Sequence, residues 1–199
     1  MDSQQCPSCG APIEIKNRFS KVLVCDYCGT HSKIGSDSLS VAGKYPKLAE
    51  FPSQFSIGCT GTILEKSFSA LGRMRYNYGS GHYDEWFIEY DGETAWLTED
   101  EGSYTLFTEM QEVSDFPDIT TVRAGQSVTI NNKKVMIKEK GKAKVDGGEG
   151  ELLFYIEPGT EVTYIDGISE GKKVSIEATE EEIEFFTGRP LLKKDIVVN

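Results

Sequence analysis

Two copies of one short phrase, Cys6-Pro-Ser-Cys9-Gly10 and Cys25-Asp-Tyr-Cys28-Gly29, constrain this chain more than anything else in it. A tetrahedral metal needs four soft ligands converging within a few ångströms, and two Cys-x-x-Cys knuckles facing each other across a hairpin supply them. The glycine after each second cysteine can take φ > 0, which lets the backbone wrap round the metal. Between the knuckles, Ile13 and Ile15, then Val22 and Val24, alternate with other residues in the period of half-buried strands, with Asn17-Arg18 at the turn. The pattern predicts a zinc ribbon over residues 1–34, with Cys6, Cys9, Cys25 and Cys28 holding a structural Zn(2+). So small a unit cannot bury enough surface to fold alone, and the metal would supply on the order of 10 kcal/mol. Four thiolates leave no open coordination position, so His31 is expected at the surface or behind the ligands.

A five-cysteine chain with four cysteines in knuckle spacing points to metal binding in a reducing compartment, not to disulfides. No apolar leader opens the sequence and no apolar run approaches the length of a membrane span, so the expected location is cytoplasmic. The formal net charge is −11. Residues 1–35 hold four Lys/Arg against three Asp/Glu, so the acid excess lies in the remainder. Such a field repels phosphates, which argues against nucleic acid and anionic membrane surfaces and leaves a protein partner or a small cation.

Gly35 to Gly43 is small and polar and reads as a flexible linker, followed by a lead-in segment to residue 54. The body, residues 55–199, consists of short alternating segments punctuated by Asp91-Gly92, Glu101-Gly102, Asn131-Asn132, Lys140-Gly141, Gly147-Gly148, Pro158-Gly159, Asp166-Gly167 and Glu170-Gly171. The expected fold is all-β: the ribbon, then an antiparallel β-barrel or sandwich. A shift of 66 positions lays Trp86, Ile88 and Tyr90 on Leu152, Phe154 and Ile156, suggesting two weakly similar repeats (about 55–116 and 117–199). One short C-terminal helix is predicted over Thr179–Phe186, with Thr179 as cap, Glu182 three residues on, and Gly188 and Pro190 as stops.

Arg73 and Arg75 share one strand face and Met74, Tyr76 and Tyr78 the other; Glu85 opens the next strand as an ion-pair partner. Arg73, Arg75, Glu85, Trp86 and Trp96 form the candidate ligand or partner face. No catalytic motif occurs, and Cys59 reads as a buried small hydrophobe.

Gly61-Thr62-Ile63, Gly72-Arg-Met-Arg-Tyr76, Asp84-Glu-Trp-Phe-Ile-Glu-Tyr90, Ala95-Trp96-Leu97 and Gly102-Ser-Tyr-Thr-Leu106 resemble the bacterial family called domain of unknown function 4178, over about residues 55–195. Its members often carry an N-terminal zinc ribbon and sit beside polyamine-synthase-like and phage-shock-type proteins. The resemblance implies a regulatory or scaffold role in an envelope- or membrane-stress-associated system and brings no catalytic residues. The leading expectation is a non-catalytic module docking a protein partner; the alternative is a binder or enzyme for a small cationic ligand such as a polyamine.

Overall fold

The computed structural model describes residues 3–35, 38–113, 116–179 and 183–199. Sixteen strands run through them. The N-terminal part holds β1 (Ser3–Gln5), β2 (Pro12–Glu14), β3 (Val22–Val24), β4 (Thr30–Ile34) and β5 (Leu39–Lys44). The body holds β6 (Thr60–Ile63), β7 (Lys66–Asn77), β8 (His82–Tyr90), β9 (Glu93–Asp100), β10 (Ser103–Glu112), β11 (Ser127–Ile130) and β12 (Lys133–Leu152). Then come β13 (Glu161–Ser169), β14 (Lys172–Ala178), β15 (Ile183–Leu191), a 3-10 turn at Lys193–Asp195, and β16 (Ile196–Val198). The chain is nearly all antiparallel β.

The body is two four-stranded meanders, β7-β8-β9-β10 and β12-β13-β14-β15. β10 pairs with β15 along one seam and β12 pairs with β7 along the other, so the pairings run in a closed circuit of eight strands. The second seam needs glycine. Gly72 lies opposite Gly150, and a Cβ on Gly72 would run into the Glu151 carbonyl. Tight two-residue turns build the meanders: Asp91-Gly92, Glu101-Gly102 and Glu170-Gly171 all have φ > 0 at both positions, the geometry that matches strand twist.

Several expectations are corrected. Lys140-Gly141, Gly147-Gly148 and Asp166-Gly167 lie inside strands, not at turns. The helix expected over Thr179–Phe186 is absent where it can be seen: Ile183–Phe186 open strand β15, while residues 180–182 lie outside the described set. Phe185 and Phe186 are both buried, in clusters on opposite faces, which a strand covered on both sides can do. The 66-residue shift lays β8 on residues 148–156, the end of β12 and an irregular stretch, so it does not superpose the meanders. Residues 35–43, expected as a flexible linker, include most of β5, which pairs with β4.

Contacts tie the N-terminal part to the body. Glu151 accepts from the Lys16 and Asn17 N–H groups (2.7 and 3.0 Å) and from the Ser20 hydroxyl, and Asn17 Nδ2 donates to Glu89 (2.7 Å). β3 pairs with the end of β12. His31 is wholly buried, not at the surface, between Tyr45 and Tyr155 with ring centroids at 4.3 and 4.0 Å. Burial lowers its pKa by penalising the cation.

Candidate functional site

The two knuckles are built alike. Gly10 N–H bonds to the Cys6 carbonyl and Gly29 N–H to the Cys25 carbonyl, and both glycines have positive φ, at 74° and 70°. The four Sγ atoms all lie within 4.8 Å of one another, with Cys6–Cys28 and Cys9–Cys25 at 3.7 Å. Four sulfurs at the usual metal–thiolate distance stand about 3.8 Å apart along each tetrahedral edge. The donor set therefore fits one tetrahedral, thiolate-bound metal ion with no open position. The Thr30 hydroxyl lies 3.2 Å from Cys28 Sγ and, with the Thr30 N–H, holds that thiol down to about 6, whereas burial pushes Cys25 up to about 12.

Alternation along the strands divides the other candidate residues between separate faces. Trp86 is 1% exposed in a filled core with Phe55, Ile88, Leu97 and Leu106. Trp96 points to the other side of the sheet, against Phe87 and Phe154 at 5.2 and 5.5 Å. Arg75 does not pair with Glu85. It opposes Asp84 in register and makes a two-pronged bond to it, both arms 2.6 Å, while a third N–H reaches the Ala49 carbonyl. Arg73 bonds Glu149 (2.6 Å) and lies over the Trp86 ring. The two arginines and Trp86 are thus internal fixtures. Of the five, Glu85 alone faces open space.

That space is a cavity of about 470 Å³. Its lining comes from successive inward positions of five strands: Tyr83 and Glu85 on β8, Thr98 and Asp100 on β9, Thr105 and Phe107 on β10, Tyr164 and Asp166 on β13, Ser175 and Glu177 on β14. Glu139 and Lys142 from β12 and Lys173 from β14 complete the charged set, and Tyr78 stands beside them. Five carboxylates face two ammonium groups, and Lys173 is already bonded to Asp166 at 3.0 Å. Tyrosine rings form one wall: Tyr78 stacks on Tyr83 at 6.4 Å and Tyr164 meets Tyr83 edge-on, with Tyr76 stacked behind Tyr83 at 4.8 Å. Tyr78 and Tyr164 donate to Asp100 and Glu139. Phe107 belongs also to the hydrophobic cluster of Leu71, Phe87, Trp96 and Phe186, against which Phe19 and Phe154 pack.

Glu177 is buried and Glu85 keeps only partial access through the cavity. Their carboxyls are mutual hydrogen-bond partners although their strands are not neighbours. Burial raises Glu85 to about 7 and Glu177 well above the ordinary carboxylate range; the Glu85 charge raises Glu177 further, whereas the hydrogen bond from Glu177 pulls Glu85 part of the way back down. The pair therefore shares a proton near neutrality. Asp100 is raised as well, first by burial.

The folded pair keeps its proton to higher pH than free glutamates do, so the unfolded chain binds fewer protons above pH 4.5. The pair's contribution to stability is whole below that pH and is lost as pH rises through about 7. Glu177→Gln is expected to match the parent protein in melting at pH 5 and to exceed it at pH 8. A variant no more stable than its parent at pH 8 would show that burial does not hold Glu177 protonated in the folded chain.

Glu177, Asp166, Tyr83 and Tyr164 escaped the sequence reading. A signal was present: Tyr164/Asp166 and Ser175/Glu177 put polar groups at alternate positions of strands whose other face is apolar.

Among the described residues no helix is long and apolar enough to cross a membrane. Comparison with curated proteins and with solved structures gives no match. The family model described as domain of unknown function (DUF4178) matches residues 56–193, which spans the closed circuit and the cavity inside it. With well over half of its length matched, the chain belongs to the DUF4178 family.

Proposed function

We propose that the body is a receptor for a small organic cation, such as a polyamine, held in the interior cavity, and that the N-terminal part is a zinc ribbon that steadies it. The observation that carries this reading is the convergence of five carboxylates on one tyrosine-walled space. Carboxylates attract a cation, and aromatic faces add about 0.5–2 kcal/mol each where water is excluded. Zinc suits four thiolates in a closed tetrahedron.

The test is a melt with spermidine. A ligand at 100 times its dissociation constant stabilises the native state by about 2.7 kcal/mol. Spermidine at millimolar concentration is expected to raise Tm by several degrees, and Asp100→Asn with Glu139→Gln to lose most of that rise. An unchanged Tm in the parent protein would remove the reading.

A second reading, docking of a protein partner through the ribbon, draws on Tyr27, 76% exposed on the second knuckle, with Ile57 also exposed beside the same groove. Pull-down with Tyr27→Ala separates the two: a partner lost with Tyr27 while spermidine still binds assigns docking to the ribbon and the cation to the body.

A further inference from the structure

The inner end of the cavity holds more hydrogen-bonding capacity than the protein uses. Tyr83 lines the cavity at 9% exposure, and its hydroxyl has no partner. Tyr76, fully buried behind the cavity lining and stacked on Tyr83, turns its hydroxyl toward the Glu85 carboxyl. Next to them stand Glu85 and Glu177, brought together from β8 and β14 across the interior. Buried polar groups are nearly always satisfied, so a cluster left open beside an accessible space marks a missing partner.

The chemistry of that partner follows from what the groups lack. Ionised carboxylates only accept, and a phenol that donates to a carboxylate can still accept. Once the pair is ionised, the cluster is short of donors. A quaternary ammonium brings charge without an N–H. A metal ion needs several oxygens around one point, and among the described residues the four cysteines are the one group of three or more ligating side chains close enough to hold one.

We infer that the Glu85–Glu177 pair, with the hydroxyl of Tyr83 beside it, seats the N–H-bearing ammonium head of an organic amine. This rests on the cation reading of the cavity and adds where the charged nitrogen goes and which cations are refused. The proton shared by the pair leaves when the ammonium enters, because the cation replaces it in neutralising the carboxylates. The charged surroundings favour that exchange. Glu184 faces the pair from β15 and Asp166 from β13, with Lys173 of β14 bonded to Asp166. Asp100 on β9 and Glu139 on β12 line the same space, Tyr76 approaches from β7, and β10 contributes the uncharged Thr105.

The test is calorimetric titration of the full chain at pH 7 with 1,4-diaminobutane, its fully N-methylated analogue, and Mg²⁺, each in two buffers of different ionisation enthalpy. The diamine is expected to bind with proton release, and the methylated analogue at least about tenfold more weakly, as loss of charge-assisted hydrogen bonds implies. Glu177→Gln is expected to weaken the diamine by about tenfold or more and to remove the proton release. Tyr83→Phe, which keeps the ring stack, should weaken it a few-fold with Tm unchanged. Equal binding of diamine and methylated analogue, or full diamine affinity in Glu177→Gln, overturns the assignment and leaves a cation held elsewhere in the cavity. Mg²⁺ binding that Glu177→Gln abolishes overturns it in favour of a metal. If no amine binds, the cavity reading falls as well.

Discussion

Replacing Cys6 and Cys9 by serine is expected to abolish metal binding and unfold the N-terminal part while the eight-strand circuit persists. The metal contributes on the order of 10 kcal/mol to such a module, far more than its own apolar contacts can. Its strands are three to six residues long, and its own buried cluster is small: Cys6, Ile13, Leu23 and Cys25, with a few half-buried neighbours. Hydrogen exchange resolved along the chain, with metal analysis of the same sample, reads the outcome. Amides of residues 12–34 should lose protection and the metal content should fall from one per chain to none. The body should weaken too, because Phe19 packs on its hydrophobic cluster and Glu151 would lose the donors of Lys16, Asn17 and Ser20. Protection that survives both serine substitutions and chelator would mean that the thiols hold nothing and that packing alone shapes the knuckles.

The second large effect concerns the ion pair behind the cavity. Asp84→Ala leaves the Arg75 guanidinium, whose side chain is 2% exposed, without its counter-charge. Breaking one side of a buried pair typically destabilises by about 3–5 kcal/mol. For a chain of this size that is a loss of roughly 10 °C in Tm. Removing both partners is a different matter. Arg75→Met with Asp84→Leu is expected to come close to the parent protein, since an apolar pair of similar volume escapes the desolvation of two charges. Denaturant midpoints for the two variants decide it. A double variant as unstable as Asp84→Ala would show that Arg75 matters through the Ala49 carbonyl and the Phe51 ring, both of which it also touches.

How far these features could be read in advance depends on the range over which they are determined. The repeated knuckles and the turns at Asp91-Gly92 and Glu101-Gly102 are local, and their geometry follows from glycine's access to positive φ. The ion pair was nearly legible: the two arginines stood on the expected face, but the partner is Asp84, one residue from the expected Glu85. A one-residue register step moves a side chain through the sheet, so that near miss exchanged a buried ion pair for a cavity wall. Trp86 and Trp96 met the same rule, since they point to opposite faces. The helix signal at Thr179 was local and lost to burial of Phe185 and Phe186 on both sides of β15. The cavity itself is the least local feature. Glu85 and Glu177 are 92 positions apart, and nothing in either strand says that the other will stand opposite.

Closure of the circuit also has a consequence for how the protein is made. The seam between β7 and β12 joins residues about seventy positions apart, and the seam between β10 and β15 joins Tyr104 to Leu191. Each meander can form as it leaves the ribosome, but an unclosed meander presents open strand edges and only part of the cavity lining. The circuit closes only when β15, which pairs with both β10 and β14, has docked. A fragment ending before residue 183 would therefore carry the acidic groups of β8, β9, β13 and β14 without the strand that joins the two meanders along the first seam.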